Sequence, residues 1–271
     1  MDVKPSSISP SDLYARLGTA AAPLLFDVRR PEAFDADDKL VMGAVYRAPS
    51  DVDRWLKLLP FGHPAVVYCA HGGEMSQGVA KALRAVGIEA SYLEGGIAGW
   101  TEQRLPTRKK LAGADKWVTR ERPKIDRIAC PWLIARFINP NAEFIYVPAS
   151  QVLAAAKERD ATPYDIPNVE FGHVGDRCSF DAIVRVYDVK DAALDRLATI
   201  VRGSDTSRPD LAPQCPGLNA ISFGLSANFS DDHEQLKHGM VMYDALYTWC
   251  RGAQADSHTQ PATKPVRAAA R

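Results

Sequence analysis

The sequence predicts an α/β domain with a parallel sheet flanked by helices, followed by a mainly α second half. Two observations set this division. Short apolar runs at residues 24–28, 65–69 and 90–93 alternate with helical patterns in the first part of the chain. Beyond residue 180 helical patterns dominate, at 180–187, 192–202, 218–229 and 231–251. A third observation places the join. Residues 101–121 carry Arg104, Arg108, Lys109, Lys110, Lys116 and Arg120 against only Glu102, Asp115 and Glu121, with Pro106 and Gly113 breaking regular structure. The expected order is a first domain at 1–105, a linker at 106–121, a second domain at 122–252 and a disordered tail at 253–271.

The local signals follow one another in chain order. Ser9 is a helix cap, Pro10 suits the first helical position, Asp12 adds an acid, and the helix over 13–17 stops at Gly18. A strand over 24–28 closes in Asp27-Val28-Arg29, and Gly43-Ala44 precedes another short apolar run. The strand at 65–69 ends in Cys69, which opens the loop Cys69-Ala70-His71-Gly72-Gly73-Glu74-Met75-Ser76. A helix over 76–86 follows and Gly87 stops it. Cys69 therefore sits at a strand end facing a helix N-terminus, where backbone N–H groups and the helix dipole favour a thiolate. An isolated cysteine is more often an inert core residue; the glycines and the strand–loop–helix setting argue the other way. The next strand, 90–93, leads into Glu94-Gly95-Gly96-Ile97-Ala98-Gly99-Trp100.

Asp27-Val28-Arg29, the cysteine loop and the Gly-Gly-x-x-x-Trp ending, in that order, resemble a rhodanese domain over residues 5–105. The resemblance implies a central parallel sheet and a persulfide carried on Cys69; His71, beside it in the loop, is the expected second catalytic group. Asp27, Arg29, Gly72, Gly73, Glu74, Met75 and Ser76 are the expected substrate-binding residues. There is one departure. Many rhodanese loops read Cys-x-x-Gly-x-Arg-Ser, and with Ser76 in the serine position Met75 stands where the arginine would be. A dianionic donor such as thiosulfate loses a charge-assisted partner there, and His71 is expected to supply part of the missing charge.

In the second half, Pro131 suits a first helical turn, which would put Cys130 at the cap with a lowered pKa, and Asn139-Pro140 ends the helix. A strand at 143–147 and a helix at 150–159 follow, then a polar passage, Glu170-Phe171-Gly172-His173-Val174-Gly175-Asp176-Arg177-Cys178-Ser179-Phe180-Asp181. Ser230 is expected to cap the last helix. Residues 126–138, this Gly-His-x-Gly-Asp-Arg-Cys-x-Phe-Asp passage and Tyr243-Asp244-Ala245-Leu246-Tyr247 are similar to the ChrB-type C-terminal domain of the chromate-resistance family, over residues 120–252. That family includes chromate-responsive regulators with a different N-terminal domain, so no DNA-binding role is carried over.

Asp126, Glu170 and His173 are the expected metal ligands, with Cys130, Cys178, Asp181, Asp232, His233 and His238 as further donors. Arg127 and Arg177, with Arg136, suggest instead an anion pocket, since guanidinium forks match tetrahedral oxyanions such as chromate or sulfate. Metal and anion both stand as readings.

The chain has 33 Lys plus Arg against 33 Asp plus Glu, so no basic field recruits nucleic acid. There is no membrane-length apolar run and no signal-like start, so a cytoplasmic protein is expected. Its five cysteines are widely spaced, without a Cys-x-x-Cys pair. The expected function is a sulfurtransferase fused to an oxyanion- or metal-handling domain tied to chromate resistance. The alternative is a non-catalytic chromate- or oxyanion-responsive sensor. Sulfur transfer asks for no cofactor, and a metal ion is expected only in the second domain. The expected partners are a small sulfur donor and a thiol or thiophilic acceptor, with chromate or sulfate as further ligands and a homodimer as the assembly.

Overall fold

The computed structural model describes residues 6–60, 62–111 and 115–252. These divide between Lys110 and Leu111 into two compact units. The first unit runs β1 (Ser7–Ile8), α1 (Pro10–Arg16), β2 (Leu24–Asp27), α2 (Pro31–Asp35), β3 (Lys39–Val41), β4 (Ala44–Tyr46) and α3 (Val52–Trp55). It continues through β5 (Ala65–Tyr68), α4 (Glu74–Ala85), β6 (Ala90–Leu93), α5 (Gly96–Glu102) and β7 (Thr107–Lys109). Five strands form one sheet in the order β1-β6-β5-β2-β4, every neighbouring pair parallel. β5 lies in the middle and all its residues are buried, as a strand covered on both faces requires. Ser9 caps α1 as expected, accepting from the Asp12 N–H at 3.1 Å. On α4, Ser76, Val79, Ala80 and Leu83 are buried at helical spacing, and Val79, Ala80 and Leu83 pack with Phe26, Val28 and Val67.

The segment expected as a linker, 106–121, holds two strands instead. β7 pairs antiparallel with β3 in the first unit, where the buried Arg108 donates to the Ala44 carbonyl at 2.8 Å. β8 (Lys116–Arg120) belongs to the second unit. Positive charges there misled: Arg108 is a hydrogen-bonded core residue, not a solvated one. The expected tail, 253–271, lies outside the described residues.

The second unit continues with α6 (Ile125–Phe137), β9 (Glu143–Val147), α7 (Val152–Arg159), β10 (Thr162–Pro163), α8 (Ser179–Val186), α9 (Ala192–Asp205), α10 (Cys215–Asn228) and α11 (Asp232–Arg251). It is mainly α, with a small parallel sheet in the order β10-β8-β9. α6 is its central helix, buried from Ile125 to Phe137 almost all round. The helix starts six residues before the expected Pro131, which stands inside it. A proline has no N–H to give the carbonyl four residues back. That carbonyl, of Arg127, accepts instead from the Tyr146 hydroxyl at 3.3 Å. Cys130 is therefore mid-helix rather than at a cap, and burial pushes its thiol up rather than down. At the far end of the unit Asp231, not Ser230, caps α11, accepting from the Glu234 N–H at 2.8 Å. No helix among the described residues is long and apolar enough to cross a membrane.

Candidate functional site

The end of β5 places Cys69 at the C-terminal edge of the parallel sheet, where open α/β sheets gather ligands. Gly72, in the left-handed conformation at φ 70°, lets the chain turn back; a Cβ there would lie 2.7 Å from the Leu93 carbonyl oxygen. Gly96 is equally constrained, since a Cβ would run into the Cys69 carbonyl. The Gly95-Gly96 turn is thus the seat of the cysteine loop, tied to it by Ile97 N–H to the Cys69 carbonyl and Ala98 N–H to the Ala70 carbonyl, both 3.0 Å.

Burial opposes charge on the Cys69 sulfur, yet its thiol is held below the ordinary range. The Ser76 hydroxyl and the backbone N–H groups of Ser76, His71 and Gly73 outweigh the desolvation. The Ser76 Oγ is 3.3 Å from Cys69 Sγ. By contrast burial raises Cys130 and Cys178, and lifts Cys250 to about 11. Cys69 opens into a cavity of 650 Å³ whose walls include Ala33, Pro49, Val52, Met75 and Val79, with Arg30, His71 and Glu74 also lining it.

Several expected roles shift. His71 helps the thiolate through its backbone, while its imidazole stands exposed on the cavity wall. Gly73, Glu74 and Met75 line the cavity as expected, whereas Gly72 and Ser76 act from behind the loop. Asp27 does not reach the substrate space; it is fully buried and takes the Arg29 Nε at 2.9 Å. Arg29 touches the cavity, but its guanidinium is committed to Asp27, to Asp37 at 2.7 Å and to the Lys39 carbonyl at 2.9 Å. Met75 packs against the core beside Val79. The exposed cation on the wall that the sequence did not single out is Arg30, which follows Arg29 and precedes Pro31 without any motif of its own.

The second unit holds a separate cluster. Asp126, Asp165, His173 and Asp205 each offer a ligand atom, and these atoms lie within 4.8 Å of one another. Asp126 comes from the first turn of α6, Asp165 from the loop after β10, His173 from the polar passage, and Asp205 from the last turn of α9. His173 Nε2 stands 3.1 Å from Asp205, 3.3 Å from Asp165 and 3.6 Å from Asp126. Their carboxylates push its imidazole up to about 12, hydrogen bonding to Asp126 being the largest cause, and burial raises the Asp126 carboxyl to about 7.

Of the expected metal ligands, Asp126 and His173 come together, but Glu170 is exposed and outside the cluster. Asp165 and Asp205 take its place; neither sits in a recognisable spacing, and the available hint was an acid at a helix C-terminus, against the dipole. The expected anion pair does not converge. Arg127 donates to the Glu121 carbonyl at 2.7 Å and pairs with Asp165 at 3.3 Å. Arg177 is exposed and lines a cavity with Arg202 and Arg208. Asp181 pairs with Arg202 at 2.9 Å, Asp232 accepts from the Arg122 N–H at 3.1 Å, and His233 and His238 lie against Tyr146 and Phe229.

Comparison with known proteins agrees with this division. The rhodanese-like domain family matches residues 9–103, and the family described as ChrB, C-terminal domain matches residues 117–250. Protein ChrB of Cupriavidus metallidurans is 30% identical over 154 residues, 56% of this chain and 45% of that protein. The chain thus spans under half the length of that relative. The thiosulfate sulfurtransferase GlpE of Tolumonas auensis is 35% identical over 77 residues, 28% of this chain and 70% of that protein. Among solved structures, a rhodanese-related protein of Thermoplasma volcanium is 28% identical, covering 38% of this chain and 96% of its own, at a TM-score of 0.34.

Proposed function

Given that this chain belongs to the rhodanese-like family through residues 9–103 and carries a ChrB C-terminal domain at 117–250, we propose that it is a sulfurtransferase working through a Cys69 persulfide in a chromate-related role. The observation that carries this reading is the Cys69 thiol, held below its ordinary pKa by the Ser76 hydroxyl and backbone N–H groups and open to the 650 Å³ cavity. The thiolate attacks the outer sulfur of a donor R–S–S⁻. The Cys69 Sγ–S bond forms as the donor's S–S bond breaks, and R–S⁻ leaves with the electron pair. An acceptor thiolate then takes the outer sulfur and returns Cys69 to its thiolate. The same N–H groups that lower the thiol hold the terminal charge of the persulfide.

The wall chemistry supports an organic donor. Ala33, Pro49, Val52, Met75 and Val79 present apolar surface, and Arg29 is already neutralised by Asp27 and Asp37. Thiosulfate, a small dianion, would rely on Arg30 and His71 at the wall. The sensor alternative asks more of those cations, because binding an oxyanion without chemistry leaves all the affinity to them.

The test is a mass spectrum after incubation with an alkyl persulfide and, separately, with thiosulfate. Wild-type chain should gain about 32 Da, one sulfur, on Cys69, and Cys69→Ser should not. An adduct that persists in Cys69→Ser, or none from either donor, would sink the proposal.

A further inference from the structure

We propose that the second unit is a metalloprotein site in its own right, in which Asp126, Asp165, His173 and Asp205 hold one divalent first-row transition ion of the manganese and iron class. These residues come from separate elements, yet their ligand atoms lie within 4.8 Å of one another. Packing three carboxylates this closely is repulsive, and Asp205 adds its charge at the C-terminal end of α9, where the helix dipole is already negative.

A protonated His173 could bridge the carboxylates without a metal, but it leaves one atom unexplained. Its Nε2 faces Asp126 Oδ2, which already accepts from the Ser179 N–H at 2.6 Å. Among the described residues Asp126 Oδ1 has no hydrogen-bond partner, on a side chain with 0% exposure. A buried, unpaired carboxylate oxygen is costly, and a bound cation is what satisfies it.

The surroundings are built as those of a metal site are. Asp165 Oδ1 accepts from the Ser179 hydroxyl at 3.1 Å, while its Oδ2 takes Arg120 at 2.9 Å. Held that way, the ligating carboxylates keep their orientation. His173 and Asp205 reach a 750 Å³ cavity, which gives an entry path and room for a further ligand. One imidazole with three carboxylates is a mostly oxygen set, which suits manganese and iron better than the thiolate-rich sets of structural zinc.

The experiment uses the full chain, freed of metal by a chelator and then titrated with Mn2+ alone. Bound ion is read by elemental analysis and by loss of the free-ion spin-resonance signal. One equivalent per chain is expected in wild type and in Glu170→Gln. Asp126→Asn and Asp205→Asn should each weaken binding by at least ~10-fold. Asp205 is the more exposed residue, so its variant tests the site even where Asp126→Asn fails to fold, and alkylation of Cys69 reports on the other unit. Absence of stoichiometric Mn2+ in wild type, or uptake unchanged in Asp205→Asn, would overturn the proposal.

Discussion

A thiol at the end of a buried strand is ordinarily kept protonated by the loss of water, and Cys69 escapes this because hydrogen-bonding groups converge on its sulfur. The Ser76 hydroxyl is the strongest of them, ahead of the N–H groups of Ser76, His71 and Gly73. The sign of the pH dependence follows. A lowered thiol pKa means that thiolate accumulates at a pH below the ordinary midpoint of about 8.5. The alkylation rate of Cys69 should therefore level off earlier than that of a free thiol. Ser76→Ala should move the midpoint up by about one unit, cutting the rate near pH 7 by ~10-fold. A pH–rate profile unchanged in Ser76→Ala would mean that the backbone alone sets the pKa. At this scale the sequence disclosed Cys69, because a strand, a glycine turn and a helix start are all local. It hid the commitment of the Arg29 guanidinium to Asp27 and to Asp37, a partner whose approach depends on the fold. It also hid Asp165 and Asp205, which meet Asp126 and His173 only in space.

Helices and strands of the first unit begin and end near where capping residues and glycines say they should. α6 of the second unit did not start at Pro131, because the carbonyl that this proline leaves open one turn back is satisfied from outside the helix. The Tyr146 hydroxyl, carried on β9, donates to the Arg127 carbonyl that Pro131 leaves open. Tyr146→Phe should therefore destabilise the second unit by about 1 kcal/mol, the penalty for a half-buried carbonyl left without a partner. Pro131→Ala restores the missing N–H, so in that background Tyr146→Phe should cost clearly less. Urea unfolding of the four proteins in this cycle measures the coupling; equal penalties in both backgrounds would show that the two groups act independently.

The two units set what fragments of the chain can fold. β7 pairs with β3, so a first-unit fragment ending at residue 105 loses a strand and the buried Arg108, whereas one ending at 110 keeps both. β8 is the middle strand of its sheet and carries the buried Trp117, Val118 and Thr119. A fragment of residues 111–252 should accordingly melt cooperatively, and one of residues 122–252 should not. Calorimetry of the pair decides it, and a cooperative transition in the shorter fragment would contradict the role given to β8. By itself the sequence determined the two-part order, the parallel sheet of the first part and the position of Cys69 at the edge of that sheet. Each rests on neighbours in the chain: hydrophobic period, caps, and glycines at left-handed turns. Only the tertiary structure decided that residues 107–109 and 116–120 are strands, that Pro131 lies inside a helix, and that Asp165 and Asp205 rather than Glu170 join Asp126 and His173. In every one of these the deciding partner is distant in sequence, and hydrogen bonding or burial supplied from outside the segment outweighs its local preference.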